Sequence, residues 1–173
     1  MKEKPKAEKV ARVIIHDLGP EFDPILESQC DLLIPADGRY APCRGCFGCW
    51  TKHPAECFIK DRLHKVCQNM GRAEKLLIIT RNCYGGYSPA VKNILDRSIG
   101  TSTPLSTFRG GQMHHTLRYK GDKRLKVIVY GDINDKERGD FSLIVERNAV
   151  NWGYAHWEVV FEEQITAKEV SAL

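Results

Sequence analysis

Five short apolar runs recur along the chain, and each has the length of a β-strand. Several are nearly continuous in Val, Ile and Leu, without the polar alternation of a strand that has one face in water. Unbroken apolar strands are typical of a parallel sheet, because helices cover both of its faces. The five predicted strands span residues 10–16, 31–36, 75–80, 125–131 and 157–163.

Helical patterns lie between the predicted strands. Apolar side chains recur at helical spacing over residues 61–70 and 135–152, and Ser88 followed by Pro89 is typical of a helix start. Strands that alternate with helices predict βαβ units and a mostly parallel sheet. We therefore predict one α/β domain over residues 1–173, with a three-layer, doubly wound flavodoxin-like fold and a five-stranded parallel sheet in the order 2-1-3-4-5.

The loops that follow the strands are the expected place of a functional site. In a doubly wound fold, ligands bind beyond the carboxyl ends of the strands, where the strand order reverses. The loops after His16, Thr80 and Gly131 are therefore expected to converge. The Cys-rich loop, residues 37–60, follows the second strand and is expected on the same rim.

Charge and composition exclude several classes of protein. The net charge is +4, but residues 109–126 alone carry +5, so the rest of the chain is near neutral. Such a local basic segment does not indicate a nucleic-acid-binding protein. No apolar run approaches the roughly 20 residues of a membrane span, and none follows the basic start, so we expect no membrane association and no secretory leader. Seven cysteines, an odd number, argue against a disulfide framework and favour the cytoplasm.

The segment after the third predicted strand has the composition of a ligand-binding loop. Gly85 and Gly86 allow a tight turn or a close approach of the backbone to a ligand. Tyr84 and Tyr87 offer flat faces for stacking, and the helix that begins at Ser88 adds free amide donors. The combination suits a planar aromatic ligand. The alternative is a tight turn whose tyrosines pack on the core.

Four of the cysteines, Cys43, Cys46, Cys49 and Cys57, occur within fifteen residues. Close spacings with a more distant fourth cysteine are typical of iron–sulfur clusters. Zinc is a second interpretation, with all four cysteines or with three and His53, although structural zinc sites usually present two separated pairs. A redox dithiol at Cys46 and Cys49, or thiols that only pack, are the remaining interpretations.

Two segments resemble the NAD(P)H-dependent FMN reductases and iron–sulfur flavoproteins of the flavodoxin-like superfamily. Residues 82–97, NCYGGYSPAVKNILDR, are similar to the flavin loop and helix of that family. Residues 42–61 hold a Cys-x2-Cys-x2-Cys group, a fourth cysteine and an Asp, and are similar to the segment ahead of that loop. The two segments occur in the order and spacing of the family and cover about a third of the chain.

The resemblance implies a cofactor, an electron donor and a homo-oligomeric state. It implies FMN, NAD(P)H as an electron donor, a [4Fe–4S] cluster on the four cysteines, and a homodimer or homotetramer. The protein would exchange electrons with a small molecule or another protein, and Tyr84 would lie against the isoalloxazine ring. The residues that would bind the cofactor in this loop are Asn82, Cys83, Tyr84, Gly85, Gly86 and Tyr87.

The segment after the first predicted strand departs from the family pattern. Members of the family place a loop rich in Ser, Thr and Gly there, which holds the FMN phosphate at a helix N-terminus. Residues 16–27, HDLGPEFDPILE, have one Gly, no Ser or Thr, and acids at Asp17, Glu21 and Asp23. Because carboxylates repel a phosphate dianion, we expect the standard phosphate site to be absent.

Residues 101–124 are predicted to form an irregular basic loop. Arg109 and Arg118 are the candidate phosphate ligands, supported by exposed amides at Gly110 and Gly111. The hypothesis is that this loop binds the phosphate of FMN or of NADPH across a dimer interface. The alternative is a solvated loop. The other basic candidates in the segment are His114, His115 and Lys120.

Two functions remain open. The first is an FMN-dependent NAD(P)H oxidoreductase or electron-transfer flavoprotein, in which the flavin carries the chemistry and no catalytic side chain is identified. The second is a flavodoxin-like protein that has lost FMN binding and whose Cys-rich loop binds a metal or senses redox state. The loop at Tyr84 favours the first function, and the acidic segment after His16 favours the second.

Overall fold

The structure is a computed structural model that describes residues 10–173. The strands are β1 (Arg12–His16), β2 (Leu32–Pro35), β3 (Lys75–Arg81), β4 (Ser102–Arg109), β5 (Gln112–Leu117), β6 (Arg124–Tyr130) and β7 (His156–Glu162). The α-helices are α1 (Asp23–Glu27), α2 (Val66–Arg72), α3 (Pro89–Asp96), α4 (Asp135–Trp152) and α5 (Ala167–Ser171). Two 3-10 turns precede α1 and follow α3.

Five of the strands form one parallel sheet in the order β2-β1-β3-β6-β7. In the middle of the sheet, Ile14 lies opposite Leu33 on one side and Leu77 on the other. Numbered as predicted, without the two strands of the hairpin, this order is 2-1-3-4-5, and the prediction is confirmed. Each predicted strand agrees with an observed one to within two residues at either end.

Helices cover both faces of the sheet, which explains why the strands are apolar throughout. Successive side chains of a strand point to opposite faces. In β3, Leu76 and Ile78 therefore pack beneath α2, α3 and α4, whereas Leu77 and Ile79 pack beneath α1 and α5. All four are at most 3% exposed. Because both faces of the sheet are covered, a functional site is expected at the carboxyl ends of the strands and in the loops that follow them.

An antiparallel hairpin occupies most of the segment that was predicted to be an irregular loop. β4 pairs with β5, and Arg109 lies opposite Gln112. Gly110 and Gly111 form the two-residue turn, with φ of 57° and 77°. Positive φ at both positions is what a type I′ turn requires. The prediction of an irregular loop was wrong because the glycine pair serves a hairpin.

The helix predicted over residues 61–70 begins later, at the start of α2. The Asp61 carboxylate accepts hydrogen bonds from the amides of Ala41 and Leu63, and this holds residues 61–65 in turns. Residues 37–60 are irregular, as predicted. No helix within residues 10–173 is long and apolar enough to span a membrane. The prediction that no leader is present concerns residues 1–9, which lie outside the described residues.

Candidate functional site

The loop after β3 presents an exposed aromatic side chain on a tight turn. The Cys83 amide donates to the Gly86 carbonyl (2.9 Å), and the Gly86 amide donates back to the Cys83 carbonyl (3.1 Å). The residues between them, Tyr84 and Gly85, have φ of 53° and 78°. A positive φ costs a tyrosine about 1 kcal/mol or more, and such outliers concentrate at functional sites. The Tyr84 side chain is 94% exposed.

Asn82 fixes this turn to the loop that follows β6. Its Nδ2 donates to the Asp132 carbonyl (2.7 Å) and to Glu137 Oε2 (3.2 Å), and its Oδ1 accepts from the Gly85 amide (3.0 Å). Glu137 also forms the capping box of α4 with Asn134. The turn is therefore held by the same residues that begin α4. Spacing in the sequence gave no indication of this link.

A crevice of about 930 Å³ lies beside the turn, between the loops after β3 and β6. The fold-based prediction that these two loops converge is confirmed by their common lining. Most amides of the β3 loop already donate within the protein; in this loop, Tyr84 and Tyr87 have amides without a partner. The lining residues are Arg81, Asn82, Cys83, Tyr84, Ser88, Pro89, Asp132, Ile133, Asn134 and Glu137.

Tyr87 lies in the core and does not face the crevice. It is 8% exposed, its ring stands edge-on to Phe141 at 5.0 Å, and its hydroxyl contacts the Asn148 amide at 3.3 Å. Burial raises the pKa of Tyr87 to about 12. Of the two tyrosines proposed for stacking, the structure thus leaves only Tyr84 beside the crevice.

Asp17, the residue after β1, is bonded to the end of β3. Its carboxylate accepts hydrogen bonds from the Arg81 amide (3.0 and 3.1 Å) and lies 3.3 Å from the Thr80 hydroxyl. Its own amide donates to the Ile79 carbonyl (3.2 Å). In a flavodoxin-like fold the FMN site lies between the first and third strands. A carboxylate of the protein occupies that position here.

The segment after Asp17 is acidic and short, as the sequence indicated. α1 has five residues, and the Glu21 carboxylate packs against Gly19. His16 is fully buried at the end of β1, with Nε2 3.3 Å from Asp23 Oδ1. Burial lowers the pKa of His16, which favours the neutral ring. The residues present here do not fit a phosphate group.

Arg109 and Arg118 lie far from the crevice of their own chain. Arg109 donates to the carbonyls of Val150 (2.9 Å) and His115 (3.3 Å), at the carboxyl end of α4. Glu137 lines the crevice at the other end of α4, and thirteen residues of helix correspond to about 20 Å. Arg118 donates to carbonyls of Gly100, Ser102 and Trp50. Both guanidinium groups therefore stabilise the fold.

The four cysteines of the Cys-rich loop line one small cavity, together with Arg97. The Arg97 side chain is fully buried, pairs with Asp61, and donates to the carbonyls of Ala41 and Ile59. This ion pair joins the two segments that carry the family resemblance. Asp96, the neighbour of Arg97 in sequence, pairs instead with Lys92 on the surface.

Cys49 has a thiol neighbour that the loop pattern did not include. A Cβ built on Gly100 would lie 2.9 Å from Cys67 Sγ and 3.0 Å from Cys49 Cβ, so both side chains crowd this glycine. A hydrogen bond with the Cys67 thiol lowers the pKa of Cys49, and Arg118 adds to the effect. The same contact and burial raise the pKa of Cys67. All seven cysteines are free thiols.

The four cysteines of the Cys-rich loop line one cavity but do not surround a common metal position. Within residues 10–173, no group of three or more His, Cys, Asp or Glu side chains is close enough to hold one metal ion. A zinc ion needs four ligands within about 2.3 Å of it. The present cavity has a volume of about 20 Å³, so the loop would have to open to admit a cluster.

The Cys-rich loop and the crevice do not share one rim. The loop packs at the carboxyl end of α3, near Arg97 and Ile99, whereas the Tyr84 turn precedes the start of α3. The eight residues of α3 separate them by about 12 Å. A groove of about 720 Å³ runs from Cys43 and Trp50 to Tyr87. The expectation of a common rim was wrong because the loop turns back along α3.

Comparison with known proteins supports the resemblance. No protein-family model matches the chain. Among curated proteins, an iron–sulfur flavoprotein of Archaeoglobus fulgidus is 30% identical over 73 residues, which are 42% of this chain. The match spans 35% of the length of that protein. The resemblance to iron–sulfur flavoproteins that the sequence indicated is confirmed.

Solved structures share the whole fold at low identity. An FMN-dependent NADH-azoreductase from Bacillus anthracis has a TM-score of 0.56 and 13% identity, over 94% of this chain and 92% of that one. An NAD(P)H:quinone oxidoreductase from Methanothermobacter marburgensis has a TM-score of 0.54 and 9% identity, over 95% and 94% of the two chains. An NADH:FMN oxidoreductase has a TM-score of 0.53 and 11% identity, over 90% and 76%. The predicted flavodoxin-like fold is confirmed.

Proposed function

We propose that the chain is a flavin-dependent redox protein that holds a flavin ring in the crevice beside Tyr84. The observation that carries this proposal is the Tyr84 turn, where an exposed aromatic with a strained backbone borders a crevice at the carboxyl ends of β3 and β6. Flavin enzymes of this fold bind their cofactor at that edge of the sheet. The names of the relatives, which include an iron–sulfur flavoprotein and FMN-dependent oxidoreductases, support the same function.

The residues of the turn would have distinct roles toward the ring. Tyr84 would stack on the ring, and its free amide would donate to the polar edge of the ring. Asn82 is a positioning residue, because its hydrogen bonds to Asp132 and Glu137 set the direction of the turn. A bound flavin supplies the electron-transfer chemistry, and the protein tunes it through such contacts. FMN is the flavin that the resemblance implies.

The electron donor in this proposal is NAD(P)H, and the cytoplasm is the compartment. The relatives with the same fold are described as using NADH or NAD(P)H. The acceptor would be a small molecule or another protein. Seven free thiols are typical of a reducing compartment.

Flavin titration tests the proposed function. We expect FMN or riboflavin fluorescence to be quenched on addition of the protein, with anaerobic reduction of the bound flavin by NADPH or NADH. Tyr84→Ala should weaken binding by about tenfold, since stacking on an aromatic is worth roughly 1–3 kcal/mol. Phe58→Ala is the control, because Phe58 is 59% exposed but lies in the Cys-rich loop. If neither FMN nor riboflavin binds, the proposal is contradicted.

A second candidate function is cluster binding by the Cys-rich loop. It is favoured by the common cavity of Cys43, Cys46, Cys49 and Cys57, and by the buried Arg97 in its wall, whose positive charge would stabilise thiolates. A bound cluster would supply one-electron chemistry. Anaerobic reconstitution with iron and sulfide should give broad visible absorption in the wild type and in Cys30→Ser, but not in Cys46→Ser. A colourless wild type would contradict cluster binding.

A homo-oligomer is part of the proposal, and the hairpin is the surface that would form it. Three large apolar side chains on the hairpin, Leu105, Phe108 and Met113, are 69%, 74% and 66% exposed. Apolar patches of this kind are typical of protein–protein interfaces. The hypothesis that Arg109 binds a cofactor phosphate then requires a partner subunit, because Arg109 lies about 20 Å from the crevice of its own chain.

A further inference from the structure

We propose that the crevice binds a flavin without any gain in affinity from the 5′-phosphate, so that riboflavin binds at least as tightly as FMN. This inference rests on the proposed flavin site beside Tyr84. It follows from the groups that occupy the end of β1, where a flavodoxin-like fold places the phosphate. Three observations carry it: Asp17 already uses the donors at the end of β3, the local charge is negative, and Arg109 and Arg118 lie elsewhere.

The donors nearest to the end of β1 are bonded to Asp17. A phosphate is held by amides and hydroxyls that point at it. The Arg81 amide donates to both oxygens of the Asp17 carboxylate, and the Thr80 hydroxyl lies 3.3 Å from one of them. The carboxylate thus makes the contacts that an anionic group of a ligand would make. A ligand phosphate could enter only by displacing Asp17 from these partners.

The start of α1 offers few free amides. Helix N-termini bind phosphate through amides that have no partner within the helix. Pro20 and Pro24 have no N–H. The Phe22 amide donates to the Gly19 carbonyl (3.1 Å), and the Asp23 amide donates to the Pro20 carbonyl. Among the described residues, the amides of Leu18, Gly19 and Glu21 remain without a partner, and the Glu21 carboxylate packs over Gly19.

The charge around this position repels a dianion. Asp17, Glu21 and Asp23 lie on the segment itself, and Asp132 and Glu137 line the crevice. His16 is held neutral by burial, which lowers its pKa, so it contributes no compensating charge. The lining includes one cation, Arg81, against these carboxylates. Two unit charges of like sign at 4 Å repel by about 1 kcal/mol even in water.

The position proposed for the flavin ring, beside Tyr84, does not depend on the acidic segment after β1. Tyr84 and its free amide lie on the β3 side of the crevice, and their geometry is set by Asn82 and not by the acidic segment. The part of a flavin that riboflavin and FMN share would therefore meet the same contacts in both. The 5′-phosphate is the part that would meet carboxylates. We expect FMN to gain nothing from its phosphate, and to lose about fivefold in affinity at low salt.

Parallel titrations with riboflavin and FMN test this inference. The full chain is titrated with each flavin at about 0.02 M and about 0.5 M salt, with fluorescence quenching as the readout. Riboflavin should bind as tightly as FMN or more tightly at low salt, and the ratio should approach one at high salt, since salt screens the repulsion. Tenfold tighter binding of FMN would overturn the inference and leave the proposed function intact. Failure of both flavins to bind would overturn the proposed function and the inference together.

Variants that remove negative charges near the end of β1 test the inference independently. Asp17→Asn with Glu21→Gln keeps side-chain size and removes two negative charges. FMN affinity should rise about fivefold or more relative to riboflavin affinity. Glu21→Gln alone changes an exposed side chain, should leave the fold intact, and is expected to shift the ratio in the same direction. Glu27→Gln, at the far end of α1, is the matched control and should change neither affinity. An unchanged ratio in both Glu21 variants would contradict the inference.

Discussion

Arg97 is the buried charge on which the Cys-rich loop depends. Its side chain is inaccessible to solvent, and its partners Asp61, Ala41 and Ile59 all belong to the segment before α2. A charge in this position is stable only because it is paired and hydrogen-bonded. The loop has little regular structure, so Arg97 supplies the order that strands or helices provide elsewhere.

Removal of Arg97 should destabilise the whole domain. We expect Arg97→Met to lower the free energy of unfolding by about 3–5 kcal/mol, because the Asp61 carboxylate loses its partner. Lys92→Met on the same helix removes a surface pair whose side chains are 61% and 49% exposed, and should cost less than about 0.5 kcal/mol. Urea unfolding of both variants measures the difference. Equal effects would show that the Arg97 pair contributes no more than a surface pair.

Lys123 is a second buried charge, and its contacts within residues 10–173 are carbonyl oxygens and an aromatic ring. Its Nζ donates to the carbonyls of Trp152 (2.9 Å) and Gly71 (3.3 Å), at the ends of α4 and α2, and lies 4.5 Å from the Tyr154 ring centroid. Burial lowers the pKa of Lys123 to about 8. The sequence pattern had placed this residue in the solvated basic segment.

The free energy of unfolding should rise with pH because the pKa of Lys123 is lower in the folded chain than in the unfolded chain. Between about pH 8 and the ordinary lysine pKa near 10.5, the unfolded chain binds more protons at this residue than the folded chain does. Raising the pH from 7 to 9.5 should therefore increase the free energy of unfolding of the wild type, relative to Lys123→Met, by roughly 1–2 kcal/mol. Parallel urea titrations at the two pH values measure this. A difference independent of pH would contradict the assignment.

The turn after β3 and the start of α4 form one structural unit. Gly85 lies so close to α4 that a Cβ built on it would be 3.3 Å from Glu137 Cα. Glu137 caps α4 and also accepts a hydrogen bond from the Asn82 side chain. The exposed position of Tyr84 therefore depends on a helix more than fifty residues away in sequence.

Two glycine substitutions should have opposite effects on this unit. Gly85→Ala should destabilise the fold by about 1 kcal/mol or more, since alanine is strained at a φ of 78° and the space is closed. Gly139→Ala lies inside α4 with no atom near the added methyl group, and should stabilise the fold by about 0.5–1 kcal/mol. Thermal unfolding of both variants gives the signs. A stabilised Gly85→Ala would show that the turn is not constrained.

The exposed apolar side chains of the hairpin are the expected contact between copies of the chain. If copies of the chain associate through the outer face of the hairpin, Leu105→Lys with Phe108→Lys should shift the light-scattering mass toward that of one chain, 19.7 kDa. Lysine opposes burial of an interface because its charge must be desolvated. Phe58→Lys, on the Cys-rich loop, should leave the mass unchanged. A mass of 19.7 kDa for the unsubstituted protein would contradict the proposed oligomer.

The architecture was predictable because its signals are local. Apolar runs gave the strands to within two residues, and the alternation with helices gave their order. The Gly–Gly pair at residues 110–111 was also a hairpin signal, but the polar, exposed strands around it lack the pattern of a core strand. The start of α2 was misplaced because Asp61 bonds to residues distant in sequence.

Local patterns in the sequence thus account for the sheet, for the Tyr84 turn and for the acidic segment after β1. They could not assign partners to side chains that meet across the fold. Tyr87 lies in the core, Asp17 bonds to the end of β3, and Arg109 points to the far end of α4. The physical reason is that hydrogen bonds and ion pairs act over a few ångströms, and folding sets the distances between segments that are remote along the chain.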